Sequence, residues 1–141
     1  MMTDSQKRTL IVTEAISWLG TRWHHKAMVK GAGVDCAMLL YATYLNCGFI
    51  EPMIIEDYPR DWALHNNTER FIANVEHYAH RVDSPKRADI VLFKTGKTHS
   101  HGAIILDYPR IIHAECRAGV IYGDAESDVV AHCSKLFYSV F

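Results

Sequence analysis

Three side chains carry most of the chemistry this sequence could perform: Cys36, His101 and His113. Cys36 follows Asp35 in the run KGAGVDCAMLLYATYLNCG, where an acidic residue and a thiol stand together at the start of a helical pattern. A thiol in the first turn of a helix feels the partial positive charge of unpaired N–H groups, which lowers its pKa and favours the nucleophilic thiolate. The same residue lies on the apolar stripe of that helix, where a free cysteine packs as a small hydrophobe. Position alone leaves both readings open. A cysteine nucleophile needs a base within reach, and the base needs a third group to hold its ring.

His101 opens the segment HGAIIL and His113 lies in RIIHA, with Asp107-Tyr108-Pro109 between them as a turn. A three-residue loop pairs Leu106 with Arg110 and Ala103 with His113. His101 is then the diagonal neighbour of His113 on one face, close enough for the imidazoles to hydrogen-bond. A two-residue turn sends one of them to the opposite face. Taken singly, each histidine reads as a polar strand residue at a sheet edge; taken with Cys36, the pair supplies a base and its orienting partner. Metal binding competes for the same residues, because His99, His101, His113 and Cys116 form an HxH and an HxxC of donors that zinc accepts. No second CxxC or HxxxH accompanies them.

The four cysteines, at 36, 47, 116 and 133, include no CxxC pair, which argues against a disulfide framework or a thioredoxin-like site. Cys47 falls at a helix end, where the dipole disfavours a thiolate, and Cys116 and Cys133 read as packing or surface thiols.

The elements that must position these groups come in two blocks. Apolar spacing predicts a helix from Thr9 to Gly20, a structured loop over 21–34, and a mostly buried helix that Asp35 caps, running from Cys36 to Gly48. A loop with Pro52 and Pro59 follows, then a third helix from Phe71 to Val82 that stops at Asp83-Ser84-Pro85. Beyond Pro85 the runs DIVLF, GAIIL, RIIHA, GVIY and LFYSVF predict an antiparallel sheet. Helices first and strands after them define an α+β domain, not a doubly wound one.

At 141 residues the chain matches a single domain, 1–141. A formal net charge of -1 gives no overall attraction to nucleic acid or to an anionic membrane. The opening MMTDSQKRTLIVTEAISWLG lacks the unbroken apolar core and small-residue cleavage site of a signal peptide, and no window approaches the ~20 apolar residues of a membrane span. These features predict a soluble protein made in the cytoplasm.

With these residues in place, the sequence resembles the NlpC family of cell-wall cysteine peptidases. The resemblance rests on Gly33-Val34-Asp35-Cys36 at a helix start, on a later strand with histidine and glycine in His101-Gly102-Ala103-Ile104-Ile105, and on Ile112-His113-Ala114. ADIVLF precedes the second block, and the match runs from about residue 10 to the end. The block WLGTRWHHKAMVKGAGVDC is similar to the phage-encoded, tail-associated branch of that family.

The resemblance implies a papain-like fold, with Cys36 as nucleophile, His101 as general base and acid, and His113 as the residue that orients His101. It implies no cofactor and a peptidoglycan stem-peptide substrate, often cut after a D-glutamyl residue linked through its side chain to a diamino acid. It also implies delivery by a virus tail and its proteins. Asp35 would lie near the substrate's free amino end, and Trp23 stands where the family has a tyrosine, so both are candidate substrate-binding residues. Asp35-Cys36-Ala37-Met38 replaces the frequent Asp-Cys-Ser-Gly, so two hydroxyl groups are missing. An amidase or acyl transferase using the same Cys-His-His set, and an inactive tail component that keeps the fold, are the alternatives.

Overall fold

The computed structural model describes residues 1–55, 58, 69–127 and 130–141. Helix α1, Asp4–Ile16, starts five residues before the apolar periodicity does, because a capping box sets its beginning. Thr3 Oγ1 accepts the Gln6 N–H at 3.1 Å, and Gln6 Oε1 accepts the Thr3 N–H at 2.9 Å. The helix buries Arg8, Ile11, Val12 and Ala15 and gives way to a turn that ends at Gly20, whose φ of 85° favours glycine.

The loop that follows contains a small hairpin of β1 (Met28–Val29) and β2 (Gly33–Val34), and Trp23 bridges to Val34 beside it. Its tip is tied to α1 by Lys30, whose ammonium lies 2.9 Å from the Glu14 carboxylate and 2.6 Å from Ser17 Oγ. The hairpin leads directly into α2, Cys36–Asn46. Every residue of α2 from Ala37 to Tyr44 is buried, since α1 packs on one side and the sheet on the other.

Helix α3 spans Arg70–Glu76 only. The third helix expected to reach Val82 is therefore too long: His80–Val82 forms β3, paired antiparallel with β8 (Lys135–Ser139). Tyr78, Ala79 and Val82 fit a helical stripe, but the edge of β8 presents backbone donors and acceptors that an added strand satisfies.

The other strands are β4 (Ile90–Lys94), β5 (His99–Ile105), β6 (Arg110–Glu115) and β7 (Gly119–Asp124), giving one antiparallel sheet in the order β3-β8-β4-β5-β6-β7. All five predicted strands are present, and the α+β expectation holds.

The sheet has two covered faces. Ile90, Leu92, Ile104 and Ile112 face the helices, whereas Val91, Phe93, Ala103, Ile105 and Ile111 pack with Ala125 and Val130 on the reverse. Alternate residues of a strand point to opposite faces, so a strand covered on both sides reads as an unbroken apolar run, as IVLF does in β4. Gly102 is the point of closest approach on the helix side. A Cβ there would lie 2.9 Å from Leu40, Leu92 and Phe71 side-chain atoms, so its hydrogen is what lets α2 and α3 press onto β5.

Candidate active site

Cys36 is the first residue of α2, and the reason lies in the side chain before it. Asp35 has extended backbone and its Oδ1 accepts the Met38 N–H at 2.9 Å, which ends the loop and begins the helix at the thiol. The close packing at Gly102 then sets the sulfur against β5: Sγ lies 3.7 Å from the Ser100 carbonyl oxygen, and the N–H groups of Gly102, Ala37 and Cys36 itself point at it.

The histidines come from strand register. Ile104 pairs with Ile112 and Ile105 with Ile111, and the Leu106 N–H donates to Arg110 O at 2.9 Å, so the hairpin has the three-residue register. His101 Nε2 and His113 Nδ1 are 2.8 Å apart. The rings meet edge-on at 5.1 Å, and the His101 ring stacks on its cross-strand partner Phe93 at 5.7 Å. His113 is buried, whereas Cys36 and His101 are half-buried.

Electrostatics here reverse one sequence-based expectation. Burial, helped by the neighbouring Asp35 carboxylate, pushes the Cys36 thiol up to about 12, outweighing the N–H groups that favour thiolate. Burial and the adjacent His113 push His101 down to about 3. The resting pair is thus a neutral thiol and a neutral imidazole, not a thiolate and an imidazolium. At this helix end desolvation is a larger influence than the N–H groups of the first turn.

Of the residues singled out for substrate contact, Asp35 is 3% exposed and already holds three donors. Its Oδ2 accepts the Lys26 N–H at 2.7 Å and the Tyr58 hydroxyl at 2.6 Å, in addition to Met38 on Oδ1. Trp23 is half-buried and packs against the helix-side core beside Val34. Tyr58 went unnoticed in the sequence, where it is one aromatic in a proline-containing loop with no periodicity to mark it.

The competing metal residues do not converge. His99 Nδ1 sits 2.9 Å from Glu69 Oε2, and Cys116 is exposed in the β6–β7 turn beside Glu115. Among the described residues no three His, Cys, Asp or Glu side chains are grouped to hold a metal ion.

A buried helix that opens on cysteine, set against an antiparallel strand that offers a paired histidine, is the arrangement of a papain-like domain. A profile of the NlpC/P60 family matches residues 17–138, and the chain belongs to that family. Among solved structures it is similar to the NlpC/p60 domain of the peptidoglycan hydrolase SagA, with 19% identity, 92% of this chain and 96% of that one covered, and a TM-score of 0.63. It also resembles an NLP/P60-family protein of Staphylococcus aureus, with 19% identity and a TM-score of 0.69. There the match covers 99% of this chain and spans 43% of the other chain's length. RipD of Mycobacterium tuberculosis, described as a non-catalytic NlpC/p60 domain protein adapted to peptidoglycan binding, aligns at 11% identity over 96% and 98% of the two chains with a TM-score of 0.62. No curated protein matches the sequence closely enough to serve as a relative. Among the described residues no helix is long and apolar enough to cross a membrane.

Proposed function

We propose that this domain is a cysteine peptidase that hydrolyses peptidoglycan stem peptides, cutting the amide between a γ-linked D-glutamyl residue and a diamino acid. The observation that carries the reading is the placement of Cys36 Sγ against β5 at Ser100 and Gly102, on either side of a histidine already paired with His113.

With Nε2 of His101 directed at His113 Nδ1, Nδ1 of His101 is the nitrogen left to accept a proton. For that role His101 carries its own proton on Nε2, whose N–H donates to His113 Nδ1, the tautomer this reading requires. From the neutral resting pair, Sγ attacks the amide carbon while its proton passes to His101 Nδ1. The backbone N–H of Cys36 stabilises the oxyanion. His101 returns the proton to the departing amine, leaving a thioester. Water, deprotonated by the same nitrogen, then releases the acid and the thiol. In this reading Trp23 and Asp35 border the substrate. Delivery on a phage or prophage tail, after synthesis in the cytoplasm, is the biological setting we propose; it is supported by the likeness of the block from Trp18 to Cys36 to the phage-encoded branch.

A second reading is peptidoglycan binding without hydrolysis. The fold shared with RipD, the Ala37 that replaces serine and the elevated Cys36 pKa favour it. Incubation with stem peptides followed by mass spectrometry separates the readings. Peptidase action adds one water across the γ-linked amide and is lost in Cys36→Ala. Saturable binding of intact peptide, equal in the two proteins, supports the second reading. Cleavage only of other amides or esters assigns an amidase or acyl transferase.

A further inference from the structure

Tyr58 lies in the segment between α2 and α3 and is 6% exposed. Its hydroxyl donates to Asp35 Oδ2 at 2.6 Å, on the oxygen that also accepts the Lys26 N–H. The His25 ring stands edge-on to the phenol at 5.2 Å, with its Nδ1 3.9 Å from the same Oδ2. One carboxylate therefore ties together the loop before α2, the first turn of α2 and the segment after it, at the residue adjoining Cys36.

We propose that Tyr58 is a positioning residue for Cys36 that acts through Asp35. The inference rests on Cys36 being the nucleophile. Two effects follow from the hydrogen bond. It fixes the carboxylate so that Oδ1 stays on the Met38 N–H, which holds the opening turn of α2 and the Cys36 N–H in place. It also spreads the negative charge of Asp35 onto a neutral donor, and that charge opposes thiolate formation next door. Burial and Asp35 both raise the Tyr58 pKa, so the phenol remains a donor throughout the neutral range. Where the family carries a tyrosine ahead of the cysteine, this chain has Trp23, which can donate only through its indole. Tyr58 brings a phenol to the neighbouring acid from the opposite side of the nucleophile in sequence.

Among the described residues, Asp35 is the charged side chain that acts on the thiol. Asp35 and Tyr58 lie on the helix side, with His25 against both. His101 comes from β5, influenced in turn by His113 and Glu115 of β6.

The test is the rate of Cys36 alkylation by iodoacetamide between pH 7 and 10, followed by mass spectrometry in wild type, Tyr58→Phe, Asp35→Asn and the double variant. Asparagine retains helix-capping ability without the charge. Tyr58→Phe is expected to shift the curve to higher pH by ~0.5, which slows labelling about threefold at each pH. Asp35→Asn is expected to speed labelling, and adding Tyr58→Phe to it to change little. A Tyr58→Phe curve that overlays wild type, or an equal slowing in the Asn background, overturns the proposal. Failure of Asp35→Asn to speed labelling also overturns the route through the carboxylate, whether or not Tyr58→Phe folds. Alkylation reads the thiol without a peptide substrate. Intact coupling with no hydrolysis would sink the peptidase reading alone, whereas hydrolysis with no coupling would sink this one alone.

Discussion

The two halves of the candidate site are built by different means. His101 and His113 are placed by strand register: a three-residue hairpin and the alternation of side chains bring Nε2 and Nδ1 to 2.8 Å. Cys36 is placed by hydrogen bonds that gather on one carboxylate from Lys26, Met38 and Tyr58, residues before, within and beyond the helix start. The first device is local and periodic; the second is a convergence of distant segments. A register tolerates many substitutions provided its pattern survives, whereas a convergence is altered when any one contributor is lost.

The sharpest way to break the comparison is to substitute the two histidines separately. If the domain is the peptidase proposed above, His101→Gln removes its proton carrier and is expected to lower kcat/KM on a stem peptide by ~10²–10⁴. His113→Ala leaves the carrier and removes only its orientation, so a loss of about 10- to 100-fold is expected. Equal losses would mean that both rings exchange protons with substrate, and the division of labour derived from their hydrogen bond would be wrong.

That division explains what was legible in the sequence. The register, the face shared by the histidines and the helix that opens at Asp35-Cys36 follow from periodicity and turn length, which neighbouring residues encode. The end of α3 and the existence of β3 do not, because Tyr78, Ala79 and Val82 suit a helix as well as a strand and the choice belongs to the open edge of β8. Tyr58 was invisible for a related reason: its partner Asp35 is 23 residues away, and no local pattern marks such a contact. The neutral resting state was missed because a helix end is apparent in sequence while the degree of burial at it is not.

Gly102 is where α2 and α3 press onto β5, and enlarging it should disturb the cysteine half and leave the histidine pair in place. A methyl group there would lie 2.9 Å from Leu40 of α2, Leu92 of β4 and Phe71 of α3, so Gly102→Ala is expected to cost about 1–3 kcal/mol. Thermal unfolding should show a midpoint lower by ~5 °C or more. Because the Gly102 N–H also acts on the sulfur, labelling of Cys36 should change in the folded variant, while the His101–His113 contact, made by side chains of β5 and β6, should not. Imidazole chemical shifts that move along with the labelling rate would show that the two devices are not separable.

The smallest effect expected concerns the cost of keeping the histidine half neutral. His101 is held at about 3 in the folded protein against an ordinary value of 6.5, so the folded state binds fewer protons than the unfolded one across that interval. Stability from this group is complete above pH 6.5 and is lost progressively as pH falls toward 3. Glutamine at 101 does not titrate. Between pH 7.5 and pH 6 the wild-type melting temperature should therefore fall by ~2–4 °C more than that of His101→Gln. Parallel curves would mean that His101 titrates in the folded protein much as it does in an unfolded chain. The proton accepted from Cys36 would then find a base already poised near neutrality, and the site would work as a preformed ion pair instead of a neutral couple that ionises only during attack.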